Sequence, residues 1–327
     1  MKGNKHSHPQ KEAAPLSFSS DVKKELALVK PEKECCGLSE LCGLYASMGS
    51  LSLLGRGKVN VQFTNESLSV CRRAYTLLQQ SLSITPQINY ITTARFGGTR
   101  KGVLILGPIQ SPTFLKAMGM MDETFSLRSY TPRLPITRMC CMRAYLRGVM
   151  LGGGTMSNPE QGYHLELPVR DGEMQNTTAK CIQRMGLPIR LSERREHTYF
   201  YFKQSDQIVD FLTILGAHNS VMQIEDLRVK RQVMSTVNRA MNCDSANLQK
   251  QMNASQQQVE AIRQLMESER FTTLPPSLQQ IAQARLSAPD ASLQELGEML
   301  DPPIGKSGVN HRMRRLMTYL EPKPESN

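Results

Sequence analysis

The sequence predicts an α+β protein in which one unit of order αββαββα occurs twice and is followed by an all-α region. Three observations predict this class. A helical segment near residue 40 recurs 105 residues later. Segments of alternating apolar and polar residues, typical of half-buried strands, follow each copy. From residue 256 onward the apolar residues recur only at helical spacing.

The repeat is clearest in its first helix. Residues 35–51 read CCGLSELCGLYASMGSL and residues 140–156 read CCMRAYLRGVMLGGGTM, so that Gly43 aligns with Gly148. In the first copy this helix is followed by a strand (59–63), a helix (66–82) and two further strands (88–94 and 102–107). In the second copy it is followed by a strand (163–167), a helix (172–187) and two further strands (189–193 and 198–203). A duplicated fold follows from this order.

Small residues recur every three or four positions on both first helices. They are Gly43, Ala46 and Gly49 in the first copy and Gly148, Gly152 and Gly153 in the second. Glycine weakens a helix by about 1 kcal/mol relative to alanine, so its use inside one needs a reason such as close backbone contact. We therefore expect the two helices to pack together on a pseudo-twofold axis; the alternative is that these glycines only end helices.

The C-terminal region predicts compact helices with short connections. Ser292 and Glu295 form a capping-box pattern before one helix, and Val309, Met313 and Leu316 or Met317 mark the buried face of the next. A polar and basic opposite face is typical of the recognition helix of a helix-turn-helix. The candidate DNA-contacting residues on this helix are Lys306, Ser307, Asn310, His311, Arg312, Arg314 and Arg315. A solvated basic helix in a structural bundle is the alternative, with Asn310 and His311 bonding locally.

Net charge favours a polyanionic partner. The 40 Lys and Arg residues against 29 Asp and Glu give +11 at pH 7. The absence of Trp disfavours a stacking platform for single strands, so double-stranded DNA is the expected partner. Outside the C-terminal helix, the candidate contacts are Arg95, Arg100 and Lys101 in a hairpin-like loop, and Arg239 in a helical linker.

The segments LCGLYASMGS and LRGVMLGGGT resemble degenerate copies of the LAGLIDADG motif of homing endonucleases. The resemblance implies paired helices beneath a β-sheet saddle that straddles DNA. It also implies an acidic metal ligand before the last glycine of each motif, where this chain has Met48 and Gly153. Neither side chain is a ligand for Mg²⁺, so we expect no enzymatic activity, no cofactor and no metal at this site.

The whole pattern resembles the WhiA family of bacterial regulators of sporulation or cell division. The likeness covers about residues 16–320 and includes VNRAMNCDSANLQK at 237–250 and the helix-turn-helix segment at 274–316. It implies a transcriptional regulator without nuclease activity, working with or without a second regulatory protein. The elements at Asn238, Arg239, Asn242, Ala246 and Asn247 are characteristic of the family, and we interpret them as structural, with phosphate contact as the alternative.

The predicted organisation has six segments. They are a flexible tail (1–17), two LAGLIDADG-like halves (18–130 and 131–220), a helical linker (221–255), a helix-turn-helix domain (256–320) and a tail (321–327). No apolar run approaches the roughly 18 residues that a membrane span needs, and the N-terminus has no signal-peptide pattern. We therefore expect a cytoplasmic, nucleoid-associated protein without a membrane partner.

The eight cysteines are expected to be reduced and mostly buried, Cys243 among them. The adjacent pairs Cys35–Cys36 and Cys140–Cys141 are symmetry mates without the spacing of a zinc motif, and the six histidines show no such spacing either.

Two other functions stay open from the sequence. One is an active endonuclease that has recruited other acids, such as Glu40 or Asp122. The other is a protein-interaction scaffold, in which the basic charge of the saddle is incidental.

Overall fold

The computed structural model describes residues 17–55, 57–92, 100–194 and 197–319. The predicted tail positions 1–16 and 320–327 and the candidate Arg95 lie outside these residues. The chain divides into two compact units, Met1–Val229 and Lys230–Asn327. The predicted domain boundaries remain predictions, and no break in the helix marks the proposed division at residue 256.

The first unit contains the repeat in the predicted order. Its elements are α1 (Phe18–Leu26), α2 (Glu34–Met48), β1 (Gly49–Gly55), β2 (Lys58–Asn65), α3 (Leu68–Leu82), β3 (Gln87–Thr92), β4 (Arg100–Leu106), α4 (Ser111–Ala117), α5 (Met139–Gly153), β5 (Thr155–Met156), β6 (Leu165–Val169), α6 (Gly172–Arg184), β7 (Leu191–Arg194), β8 (His197–Phe202) and α7 (Ser205–Leu215). Helix α1 precedes the first copy and was not predicted. The αββαββα order of both copies is confirmed.

Each copy forms an antiparallel four-stranded sheet of the same topology. The strand orders are β1-β2-β4-β3 and β5-β6-β8-β7, which the duplication relates one to one. Alternation sets the two faces of each strand. In β2, Val59, Val61 and Phe63 are buried in the core while the residues between them are partly exposed. One face of each sheet therefore covers the helices, and we call the two opposite faces the saddle surface.

Helices α2 and α5 lie at the centre of this unit and make its closest contact. A Cβ atom at Gly43 would lie 2.9 Å from the amide nitrogen of Val149, and one at Gly148 would lie 2.8 Å from that of Leu44. These two contacts are related by the 105-residue offset, as a pseudo-twofold axis requires. The predicted packing is confirmed, because only glycine permits the backbones to approach this closely.

A single long helix, α8 (His218–Met266), begins in the first unit and continues into the second. Its first turn is held by Glu25 of α1, whose carboxylate accepts hydrogen bonds from the Asn219 and Ser220 amides at 2.6 and 2.9 Å. An acidic group there complements the helix dipole. Side chains between 229 and 254 are exposed all round the helix.

The second unit is all-α, as predicted. After α8 come a short 3₁₀ turn (Glu269–Thr273), α9 (Pro276–Ser287), α10 (Leu293–Glu298) and α11 (Lys306–Thr318). Ile262 and Leu265 of α8 share one core with side chains of the three later helices, such as Ile281, Leu296 and Val309. The end of α8 thus belongs to this domain.

We predict that Gly43→Ala or Gly148→Ala destabilises the first unit by about 1 to 3 kcal/mol, because an added methyl group overpacks the contact between α2 and α5. Gly172→Ala at the start of α6 is the matched control, since a Cβ atom there meets no atom within 4 Å, and it should change stability by less than about 0.5 kcal/mol. Urea unfolding followed by circular dichroism measures both. Equal effects at the two kinds of site would contradict the close packing.

Candidate nucleic-acid interface

Two local contacts fix the position of α11 in the helix-turn-helix. The predicted capping box at α10 is confirmed: the Glu295 amide donates to Ser292 Oγ at 3.3 Å, and the Ser292 amide donates to the Glu295 carboxylate at 2.7 Å. A Cβ atom at Gly297 would collide with the Ile304 carbonyl group. The segment at Ile304 therefore packs directly against α10, immediately before α11 begins.

One side of α11 is buried and the other carries polar side chains. Val309, Met313 and Leu316 face the core, as the sequence predicted. The candidate residues Lys306, Ser307, His311, Arg314 and Arg315 are exposed, while Asn310 and Arg312 are half-buried. Within the described part of the chain, none of the ion pairs involves a cation of α11. These cations are available for an external anion.

Arg239 lies on the exposed part of α8, where its Nε donates to the Ser235 carbonyl oxygen at 3.3 Å. The neighbouring Asn238, Asn242 and Asn247 are also exposed in mid-helix. They neither cap a helix nor turn the chain, so the structural interpretation of this segment is not supported by its packing. The sequence could not show this, because short Asn side chains are equally typical of caps.

Cys243 corrects a second expectation about the same helix. The thiol is exposed, and Asn247 Nδ2 donates to its Sγ at 3.7 Å. It was expected to be buried, as a free cysteine usually is. The other seven cysteines are buried or half-buried, and all eight are free thiols.

Arg100 and Lys101, which the sequence predicts in a hairpin-like loop, instead begin β4 and face opposite sides of it. Lys101 lies on the same side of its strand as the partly exposed Ile105, on the saddle surface, and pairs with Glu66 at 3.0 Å. Arg100 lies on the opposite side, with its guanidinium 4.2 Å from the centroid of the Tyr90 ring. Adjacent residues of a strand face opposite ways.

The second sheet contributes a polar and aromatic surface that the sequence did not reveal. The Glu166 carboxylate accepts from His164 Nε2 at 2.7 Å and from Arg194 at 3.2 Å. Beside it, the Lys203 amine lies 5.2 Å from the ring centroid of Tyr201. Only the strand register brings these residues together, since they come from β6, β7, β8 and the adjoining segments.

The positions of the acidic ligands implied by the LAGLIDADG resemblance do not fit a metal ion. Met48 is buried, and its Sδ lies 3.4 Å from Asn65 Nδ2, which also donates to the Gly152 carbonyl oxygen at 2.9 Å. The adjoining cleft of about 640 Å³ is lined by Lys23, Lys24 and Lys101 with a single acid, Glu66. Burial lowers the pKa of Lys23, against the attraction of Glu66. Lysines and one carboxylate make a poor site for Mg²⁺, which needs oxygen ligands.

Glu40, an alternative catalytic acid, is instead part of a fully buried ion-pair network. Its carboxylate accepts from Arg73 at 2.6 and 2.8 Å and from Arg147 at 3.1 Å. Arg147 also donates to the Leu215 carbonyl oxygen at 2.9 Å. Both oxygens are therefore engaged by arginine, and the Glu40 side chain has no exposed surface.

The second copy replaces the Glu40–Arg73 pair with a neutral one. At the positions 105 residues later, Tyr145 Oη and Thr178 Oγ1 share a hydrogen bond of 3.1 Å. Burial raises the pKa of Tyr145, which keeps the phenol neutral. Helix α2 thus packs on α3 through a charged pair, and α5 packs on α6 through a neutral one. Because the packing is the same in both copies, both pairs are structural.

Asp122, the other alternative acid, closes a turn. It accepts hydrogen bonds from Thr124 and from the Ser126 amide, and pairs with Arg128 at 2.6 Å. Hydrogen bonds from Thr124 and Ser126, ahead of the Arg128 contribution, lower its pKa to about 2.

The adjacent cysteine pairs meet at the start of α2 and α5. The four Sγ atoms of Cys35, Cys36, Cys140 and Cys141 lie within 4.8 Å of one another. The sequence does not predict this grouping, because zinc motifs are defined by spacing within one segment and these pairs lie on two helices, α2 and α5.

The fold and the exposed face of α11 define a LAGLIDADG-like α+β unit joined to a helix-turn-helix domain. Three family descriptions match in that order: "WhiA N-terminal LAGLIDADG-like domain" at residues 34–104, "WhiA LAGLIDADG-like domain" at 142–234 and "WhiA C-terminal HTH domain" at 237–320. The chain belongs to the WhiA family.

Relatives match over nearly the whole chain. A "Probable cell division protein WhiA" from Heliobacterium modesticaldum is 38% identical over 94% of this chain and 96% of its own. One from Alkaliphilus metalliredigens is 37% identical over 92% of this chain and 96% of its own. The crystal structure of full-length WhiA from Thermatoga maritima is 25% identical, with a TM-score of 0.57, and covers 93% of this chain and 98% of its own.

No helix among the described residues is long and apolar enough to cross a membrane.

We predict that Glu40→Ala destabilises the protein by about 3 to 5 kcal/mol, because it leaves Arg73 and Arg147 buried without their partner. The matched control is Glu66→Ala, which removes a carboxylate that is 61% exposed and should cost less than about 1 kcal/mol. Urea unfolding measures both variants. A Glu40→Ala protein as stable as the control would show that the network is not structural.

Proposed function

We propose that this chain is a sequence-specific double-stranded DNA-binding regulator of transcription, acting in cell division, chromosome segregation or sporulation. The observation that carries the proposal is α11, whose buried face is fixed in the domain core while its polar and basic face is exposed. A helix of this kind fits the major groove, where side chains read base edges and flanking cations contact phosphates. The names of the relatives support the role in cell division.

The proposed contacts have two classes. Lys306, Ser307, Asn310, His311, Arg312, Arg314 and Arg315 supply base and phosphate contacts from α11. Arg95, Arg100, Lys101 and Arg239 supply phosphate contacts from the loop, β4 and α8. The exposure of Arg239 in mid-helix supports phosphate contact over the structural interpretation.

The LAGLIDADG-like unit is proposed to have lost nuclease activity. Met48 and Gly153 occupy the acid positions, lysines line the adjoining cleft, and Glu40 is held by two arginines. The scaffold thus retains a shape suited to DNA without the ligands for a metal-dependent cut.

The proposal includes a second regulatory protein and a location at the nucleoid in the cytoplasm. Val229, Val233, Val237 and Met241 are all exposed at four-residue intervals along α8. Exposed apolar stripes of this kind mark surfaces for protein contact.

We predict that Arg314→Ala or Arg315→Ala weakens binding to the specific site by about 1 to 3 kcal/mol, because each removes a base-edge or phosphate contact of α11. Arg270→Ala is the matched control, since it removes an exposed cation of the same unit from a different element. Titrations against the site found by genome-wide footprinting, with competitor DNA, measure the loss. Equal weakening by all three variants would show that α11 does not determine sequence specificity.

Charge reversal of Arg95, Arg100 and Lys101 should lower DNA affinity and flatten its salt dependence, because each phosphate contact contributes close to one unit of slope. Singly, Lys101→Glu should act more strongly than Arg100→Glu, since only Lys101 lies on the saddle surface. Binding measured between low and physiological salt tests this. An unchanged slope in the triple variant would assign the saddle surface to a protein partner.

A further inference from the structure

Four thiols converge at one end of the helix pair in the first unit. Cys35 and Cys36 lie in the first turn of α2, and Cys140 and Cys141 lie in the first turn of α5. Their Sγ atoms are within 4.8 Å of one another, and those of Cys35 and Cys141 are 3.4 Å apart. The described residues contain no other group of three or more His, Cys, Asp or Glu side chains arranged for a metal ion.

The pseudo-twofold axis explains why the donors form a matched set. The 105-residue offset relates Cys35 to Cys140 and Cys36 to Cys141. Because α2 and α5 cross in close contact at Gly43 and Gly148, their first turns meet. An ion on the axis would receive two thiolates from each half, one from a buried and one from a half-buried cysteine.

The spacing of the sulfur atoms suits a tetrahedral thiolate site. With a Zn–S distance of about 2.3 Å, the sulfur atoms of a tetrahedron are about 3.8 Å apart. The 3.4 Å contact and the 4.8 Å limit lie on either side of this value, so small movements of the side chains, apart for the closest pair and together for more distant ones, are enough. Four sulfur donors select zinc among the common divalent ions, because Mg²⁺ and Ca²⁺ require oxygen.

The surroundings stabilise the negative charge that such a site gathers. All four cysteines lie in the first turn of a helix, where the positive end of the helix dipole complements the negative charge of a metal–thiolate centre. Burial raises the pKa of the Cys36 and Cys141 thiols, so the bound ion has to displace their protons. The Arg138 guanidinium also lies 3.9 Å from Cys35 Sγ. The half-buried Cys35 and Cys140 leave a path by which the ion can enter.

We propose that Cys35, Cys36, Cys140 and Cys141 form a structural zinc site that clamps the two halves of the LAGLIDADG-like unit together. The site lies at the opposite end of α2 and α5 from Met48 and Gly153, so it is separate from the lost nuclease centre. It is also independent of DNA binding by α11.

The test uses the full-length protein, reduced and stripped of metal with a chelator. We expect one Co²⁺ per chain to give the intense visible absorption of a tetrahedral thiolate complex, and Zn²⁺ to displace it. The Cys35→Ser/Cys140→Ser double variant should lose this absorption while retaining its circular dichroism spectrum. Cys243→Ser, at the exposed cysteine of α8, is the matched control and should bind Co²⁺ as the unmodified protein does.

Stability supplies a second readout. Zn²⁺ that binds only the folded state should raise the unfolding temperature of the unmodified protein and of Cys243→Ser, but not that of the double variant. The proposal is overturned if Co²⁺ gives no thiolate spectrum, if the spectrum survives in the double variant, or if protein isolated without reductant has these cysteines in disulfides.

Discussion

The close contact between α2 and α5 is the constraint on which the first unit depends. Gly43 and Gly148 let each helix backbone rest against the other, and no side chain larger than hydrogen fits at either position. Because the two helices belong to equivalent copies, their contact fixes the pseudo-twofold axis. The two sheets, the buried Glu40 network and the four cysteines are all arranged around it.

The positions around the same axis separate the parts of the LAGLIDADG pattern that this chain keeps from those that it replaces. At one end, Met48 and Gly153 stand where the resemblance places metal-binding acids, and lysines line the cleft beside them. Near the middle, the carboxylate of Glu40 joins α2, α3 and α5 through Arg73 and Arg147. Both arginines neutralise its charge inside the helix interface. The duplicated fold is thus intact, while Met48 and Gly153 occupy the positions of the metal-binding acids.

Much of the fold could be predicted from the sequence because it is encoded locally. The alternating strands, the capping box at Ser292 and the buried face of α11 follow from patterns within a single segment, and the 105-residue repeat follows from comparing two segments. The contacts that depend on tertiary structure could not be predicted. The pairing of Glu40 with Arg147 and the grouping of the four cysteines each require knowing how distant segments pack. The separation of Arg100 from Lys101 depends on both residues lying in β4, whereas the sequence predicts them in a hairpin-like loop. The sequence does not predict the exposure of Asn238 and Cys243 for another reason: nothing local shows that α8 continues unbroken with its side chains exposed between residues 229 and 254.

We propose that a nuclease-like scaffold here serves DNA recognition without DNA cleavage. The most direct test incubates the full-length protein with a DNA fragment carrying its specific site, in the presence of Mg²⁺ or Mn²⁺, and resolves both strands on a denaturing gel beside a footprint of the same complex. The account predicts a protected site with every strand intact. Metal-dependent strand breaks at a fixed position inside the footprint would contradict it.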